Sequence, residues 1–183
     1  HLDLGDSGEA GISMCHKEIK TDGTVMYVFD FVSKVISPTR ISQTMIEEFL
    51  VDLKEVANIN IEQVSADQYQ STYMRERLEH LHKVANNVIK LPMGGKTNIE
   101  PFLTSAALIS EGAVKVGACK ELKSQLKGVY IENDLLQYDT DRKDIVDSFI
   151  GSLYGTLNSP KDVPTNIYDN YEDISATLKI TSI

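Results

Sequence analysis

Cysteine is scarce: only Cys15 and Cys119 occur in 183 residues, far apart and in no CxxC pair. That spacing argues against a disulfide framework and fits a reducing compartment, with both thiols expected as small core residues. Long apolar runs are missing too, none approaching the roughly 20 residues that a membrane-crossing helix needs, so no membrane partner is expected. Positive charge is short, with 18 Lys and Arg against 27 Asp and Glu and a net charge of −9. Such a balance leaves no broad basic surface for binding phosphate polymers by counterion release, so any nucleic acid must be engaged locally. An initiator methionine and a signal peptide are also absent, and the chain opens directly on "HLDLGDSGEAG", an apparent strand that already carries an acid. The expectation is a piece of a longer protein. With 42% apolar residues, five prolines and eleven glycines, residues 1–183 are expected to form one globular domain with a continuous core.

The patterning changes period along the chain. "AGISMCHKEI" alternates, "KTDGT" supplies an Asp-Gly turn and "VMYVFDFVS" is β-branched and aromatic, which predicts a hairpin between Ala10 and Lys34. Ile46, Phe49, Leu50, Leu53 and Val56 then recur at helical spacing behind a Ser42 cap, giving a helix from Ser42 to Ala57. The strand "INIEQVS", a helix from about Gln70 to Val84 and the short strand "NVIKLP" follow. "NIEPFLTSAALISEGAVKV" reads as one helix with Pro101 in its first turn, "ACKELKSQLKG" as a second helix closed by Gly128, and "VYIENDLLQYD" as another hairpin. Val146, Phe149, Ile150, Leu153 and Leu157 mark an amphipathic helix from Arg142 to about Asn158. The closing "TNIYDNYEDISATLKITSI" is acidic and weakly patterned. Early strands followed by mixed elements predict an α/β fold, a central sheet with helices on its faces.

Acids stand at telling places: Asp3 in the opening strand, Asp67 in "VSADQYQS" where the strand "INIEQVS" runs out, and Asp144 with Asp147 on the late helix. A carboxylate at a strand end must be solvated, hydrogen-bonded or holding a cation. At spacing i, i+3 the helix pair shares a face beside Ser148, Gly151 and Gly155, small residues that let a helix approach a sheet edge closely. Clustered carboxylates raise one another's pKa unless an oxygen-loving ion such as Mg²⁺ or Mn²⁺ joins them. Two such ions about 4 Å apart activate water and stabilise the leaving oxygen of a phosphodiester. The same residues also suit plainer duties: Asp67 as a helix cap, Asp3 as a strand terminator, Asp144 as a charge favoured by a helix N-terminus. Spacing alone leaves both readings open.

The motifs carry a resemblance. "HLDLGDSGEAGISM" resembles the first acidic motif of the nuclease domain in the large terminase subunit of tailed bacteriophages, an aspartate on the first strand before a Gly-rich turn. "VSADQYQS" resembles the second motif, and "DRKDIVDSFIGSLYG" the third, an acidic pair opening a helix rich in small residues. All three occur in the family's order, from Asp3 to about Leu157. The resemblance implies an RNase H-like fold, with a central mixed β-sheet flanked by helices on both faces. It also implies a metal-dependent endonuclease that cuts concatemeric double-stranded viral DNA in the host cytoplasm with little sequence preference. By position it makes Asp3, Asp67 and Asp147 ligands of Mg²⁺ or Mn²⁺, with Asp144 a ligand or a neighbour of one. It further implies an N-terminal ATPase motor, a portal and a small terminase subunit as partners; nothing in this chain resembles the motor, so a C-terminal nuclease domain is expected.

Other patterns fail on their own terms. "GGKT" at Gly94 to Thr97 lacks the P-loop's first glycine, since Lys90 stands there. "DTDRKDIVDSFI" has Asp144 and Ile150 where a calcium loop needs glycine and glutamate. His80 and His82 fall on opposite sides of a helix, which argues against a shared zinc ion. Asp6 and Glu9 read as solvated turn acids. Arg75, Arg77 and Lys83, or Lys120, Lys123 and Lys127, are ordinary solvated faces, one of which would flank a nuclease site and contact phosphates. Two rivals remain: a junction resolvase of the same fold, and a non-catalytic docking domain of a packaging complex. "DLGDSGEAG" also resembles the phosphate-binding turn of actin-like ATPases.

Overall fold

The structure, a computed structural model, describes residues 1–4, 8–38, 41–66, 76–93, 98–139 and 143–159. Asp6, Asp67, Arg75, the start of the helix expected at 70, the "GGKT" segment and the acidic C-terminal stretch lie outside them. Strand β1 (Leu2–Leu4) pairs antiparallel with β2 (Glu9–Ile19), and β2 with β3 (Val25–Ile36). The expected hairpin turn forms, with Gly23 at φ 80° and Asp22 accepting a hydrogen bond from the Thr24 amide at 2.9 Å. Helix α1 (Gln43–Glu55) begins as predicted, Ser42 Oγ accepting from the Met45 amide at 3.2 Å. Strand β4 (Ile61–Ala66) runs parallel to β1, and β5 (Ala85–Lys90) parallel to β4. Between them the described part of the helix expected up to Val84 is only a π-helical turn, α2 (Arg77–Leu81), ended by Lys83 at φ 51°.

The helix expected across 98–116 is shorter than its sequence suggested. Helix α3 (Glu100–Ser110) stops where Gly112 takes φ 71°; the Gly112 and Ala113 amides donate back to Ile109 and Leu108, and Val114–Lys115 leave as strand β6, parallel to β3. A left-handed glycine after the last turn is the usual helix stop, and the β-branched Val114 suits the sheet edge. Helix α4 (Lys120–Lys127) is capped by Cys119, whose Sγ accepts from the Leu122 amide at 3.4 Å. Burial pushes the other thiol, Cys15, up to about 12, which keeps it protonated and unreactive. Strands β7 (Val129–Glu132) and β8 (Leu135–Tyr138) form a separate hairpin, its turn residues Asn133 and Asp134 at φ 52° and 57°. Helix α5 (Asp144–Leu157) follows.

The strand order is β5-β4-β1-β2-β3-β6, a mixed six-stranded sheet with a hydrophobic core on each face. Leu2, Ile12, Val64 and Val88 pack with Ile46, Leu50 and Leu53 of α1 on one side; Tyr27, Phe29, Phe102, Leu122 and Phe149 pack around α5 on the other. A bulge opposite Met14 and Cys15 makes this possible. It inserts Asp30 into β3, so that Tyr27 and Phe29 before it, and Val32 and Lys34 after it, all serve the α5 face. No described helix is long and apolar enough to cross a membrane.

Helix α5 lies directly on the backbone of the sheet. A methyl group at Gly11 would overlap the Asp144 carbonyl, while Ser13 Oγ donates to the Ser148 carbonyl at 2.6 Å and Phe149 stacks on Phe29 with centroids 4.3 Å apart. Gly11→Ala should therefore push α5 off β2 at a cost of about 1–3 kcal/mol. Urea unfolding would show this as a lower midpoint with an unchanged slope; an unchanged midpoint would mean that the helix yields freely.

Candidate active site

Alternation along β1 and β2 decides which side chains meet α5. Leu2 and its partner Ile12 enter the α1 core, so Asp3 and its partner Gly11 belong to the opposite face, under the first turn of α5. Asp147 is 1% exposed. Its Oδ1 accepts from the Tyr138 hydroxyl at 2.7 Å and its Oδ2 from Lys143 Nζ at 2.9 Å. Asp144, half-buried in the same turn, lies beside Glu9 and Lys34, which are joined at 2.7 Å. Lys34 also reaches Glu121 of α4 at 3.5 Å, and Gln125 of α4 caps α5 by accepting from the Val146 amide at 3.1 Å.

Three of the four predicted residues, Asp3, Asp144 and Asp147, are thus brought together by the fold. The fourth, Asp67, lies outside the described residues, but Ala66 just before it is in parallel register with Leu2 just before Asp3. The acids gather at the end of the interior strand β1, because α5 crosses the middle of the sheet.

Sequence reading missed several neighbours. Glu9 is not a solvated turn acid: it opens β2, two residues from Gly11 on the same face. Lys34 is drawn in by its register with Gly11, a pairing that no short motif records. Tyr138 comes from the separate hairpin; only Lys143, four residues before Asp147, left a legible i, i+4 signal. Of the basic sets singled out earlier, Arg75 lies outside the described residues. Arg77 pairs with the buried Glu47 at 2.6 Å on the α1 side, and α4 turns Glu121 and Gln125, rather than its lysines, toward α5.

Burial raises the Asp147 carboxyl above the ordinary carboxylate value, and the Asp144 charge adds to this, while Lys143 and the Tyr138 hydroxyl oppose it. Asp144 is raised by burial first and by Glu9 second, against Lys34 and Lys143. Burial, then Asp147 and Asp3, keep the Tyr138 phenol protonated, so it is always a donor. These are carboxylates short of positive charge, an all-oxygen donor set that fits a hard divalent cation. Among the described residues no three acidic, histidine or cysteine groups lie close enough to enclose an ion; a full ligand set needs a donor from beyond them.

No family model matches the chain, and no curated protein matches it in sequence. Solved structures do match in shape. The large terminase nuclease from thermophilic phage G20c with bound magnesium is 16% identical with a TM-score of 0.53, over 84% of this chain and 90% of that one. The Thermus phage P74-26 large terminase nuclease domain is 16% identical with a TM-score of 0.50, over 82% of each chain. The chain has the fold of a large terminase nuclease domain. Its mixed sheet with helices on both faces is accordingly the expected RNase H-like α/β fold.

Both raised carboxyls hold their protons more tightly folded than unfolded. Stability without divalent ions therefore falls as pH rises from 3.8 through their higher folded values. Asp144→Asn removes one such group. In thermal unfolding with EDTA the variant should match its parent below that window and melt higher at neutral pH; a lower melting point at neutral pH would show that the charged form of Asp144 is stabilising.

Proposed function

We propose that this chain is a metal-dependent DNA endonuclease, the nuclease domain of a viral DNA-packaging terminase, and that it cuts double-stranded DNA by two-metal-ion hydrolysis of phosphodiesters. The observation that carries this reading is Asp147: a carboxylate fully buried in the first turn of α5, facing the Asp3 strand and next to Asp144, in a chain that folds like terminase nucleases. A helix dipole accounts for an exposed acid in a first turn, not for one removed from water among other acids. The magnesium bound in the phage G20c nuclease supports a divalent ion here.

In this reading Asp3, Asp67 and Asp147 hold Mg²⁺ or Mn²⁺, and Asp144 supports them as a ligand or a neighbour. Ions held there supply a nucleophilic water and neutralise charge on the leaving oxygen. The chain's own part is positioning. Tyr138, which cannot ionise beside Asp147, fixes the carboxylate through Oδ1, and the contact of α5 with Gly11 fixes the height of Asp144 and Asp147 above β1. Double-stranded DNA is the substrate, read through its backbone, since nothing here resembles a base-reading module. An ATPase motor, a portal and a small terminase subunit are the partners that the terminase assignment brings.

Supercoiled plasmid cleavage with Mg²⁺, Mn²⁺ or EDTA tests this directly. The parent should cut only with metal, Asp67→Ala and Asp147→Asn should abolish cutting, and Tyr138→Phe should lower it by about 10–100-fold, as loss of a ligand-orienting bond does. A folded parent that neither cuts nor binds metal would instead support the docking-domain reading, and a preference for branched DNA the resolvase reading.

A further inference from the structure

Both oxygens of the Asp147 carboxylate already have donors, Tyr138 on Oδ1 and Lys143 on Oδ2. Each oxygen keeps a second lone pair for a hard cation, but an ammonium at that range would repel it. A cation that takes Asp147 as a ligand therefore meets a like charge at Oδ2 and a neutral hydroxyl at Oδ1. The two donors respond unequally to a cation. Tyr138, in β8 with its ring edge-on to Phe102 and centroids 6.2 Å apart, donates through a neutral hydroxyl that a cation does not repel. Lys143 has a side chain 37% exposed, carried on a flexible four-carbon stem from the residue before α5. Its ammonium already lies 5.2 Å from the Tyr138 ring centroid, and an aromatic face gives it somewhere to rest after it moves.

We propose that Lys143 is a resident counter-ion of Asp147 that is exchanged for the divalent cation: it leaves Oδ2 when the ion arrives, while Tyr138 stays on Oδ1. The proposal rests on the metal-site reading above and deepens it by naming what loading does to Lys143. Without the ion, Lys143 supplies the positive charge that a carboxylate 1% exposed needs in order to stay ionised. With the ion bound, that charge is redundant, and like-charge repulsion drives the ammonium toward solvent. Breaking the pair is part of the cost of binding, so Lys143 sets the cation affinity without being a ligand.

Lysine acetylation read by mass spectrometry, with EDTA or with saturating Mg²⁺, follows Lys143 Nζ directly. Exchange predicts severalfold faster labelling of Lys143 with Mg²⁺ and no change at Lys123 on the exposed side of α4. Calorimetric titration of Mg²⁺ gives a second, opposed pair of outcomes. Lys143→Met should bind about fivefold tighter, as removal of a partly exposed ion pair implies. Lys143→Arg, whose planar fork pairs more firmly with a carboxylate, should bind more weakly than the parent. A merely structural lysine would lower the melting temperature of Lys143→Met and leave labelling indifferent to Mg²⁺. Mg²⁺ binding with unchanged Lys143 labelling overturns the exchange alone; a parent that binds no Mg²⁺ overturns it together with the metal-site reading.

Discussion

The structure depends on one close approach, that of α5 to the backbone of β2 at Gly11. With no side chain there, the Asp144 carbonyl comes down onto the strand, and the small residues that follow along the helix continue the contact. Ser148 and Ser152 meet Ser13, and Gly151 and Gly155 leave room for His1 and for Gln63 with Ser65. A helix seated this deep loses its solvent face: its other side is filled by Phe102, Leu122 and Leu136. Residues from Ile145 through Leu153 are buried without interruption, although the sequence reads as amphipathic. The acids of the first turn are carried inside with the rest.

That burial turns a structural fact into a chemical one. A carboxylate withdrawn from water must find donors, a counter-charge or a proton. Asp147 finds the first two in Tyr138 and Lys143, and its raised pKa shows that they do not fully replace solvent. Asp144, with Glu9 for a neighbour, is in the same position less severely. Packing strong enough to hold α5 against the sheet thus maintains an electrostatic deficit at its N-terminus, and a divalent ion is the group that would relieve it. Under the nuclease reading, structural and functional roles of α5 are two consequences of one docking geometry.

How much of this was legible in the sequence depended on the range of the interaction. Local signals survived: the Ser42 cap, the Asp-Gly turn, the α5 stripe and the Asp144–Asp147 pair were all correctly placed because each is set within a turn or two of chain. What failed depended on partners far away. The Gly112 reversal was hidden inside an apolar, helix-compatible run, and β6 exists because β3 offers it an edge. The Asp30 bulge, which lets Lys34 and Phe29 share a face, breaks the period-two alternation that sequence reading relies on. Glu9, Lys34 and Tyr138 join the acids only through strand register and the docking of a separate hairpin, neither of which leaves a short-range trace. The three-motif resemblance led to the right fold because ordered acids on named elements carry topology that composition lacks.

The remaining tension is between this acidic mouth and a polyanionic substrate. Asp3, Glu9, Glu121, Asp144 and Asp147 surround the site, and Lys34 and Lys143 are the lysines whose ammonium groups reach into it among the described residues. Lys34 is held between Glu9 and Glu121, so it neutralises rather than attracts. In the metal-free state the local field therefore repels a phosphodiester, in keeping with the net charge of −9. Under the nuclease reading, divalent ions change the sign of that field at the one place where the scissile phosphate must sit, and an exchanged Lys143 adds its charge outside. Cation loading and DNA engagement are then thermodynamically linked: each favours the other through the same charges. Under that reading, a chain with a net charge of −9 would hold DNA in a cutting position where its ions are bound, because there the field is reversed.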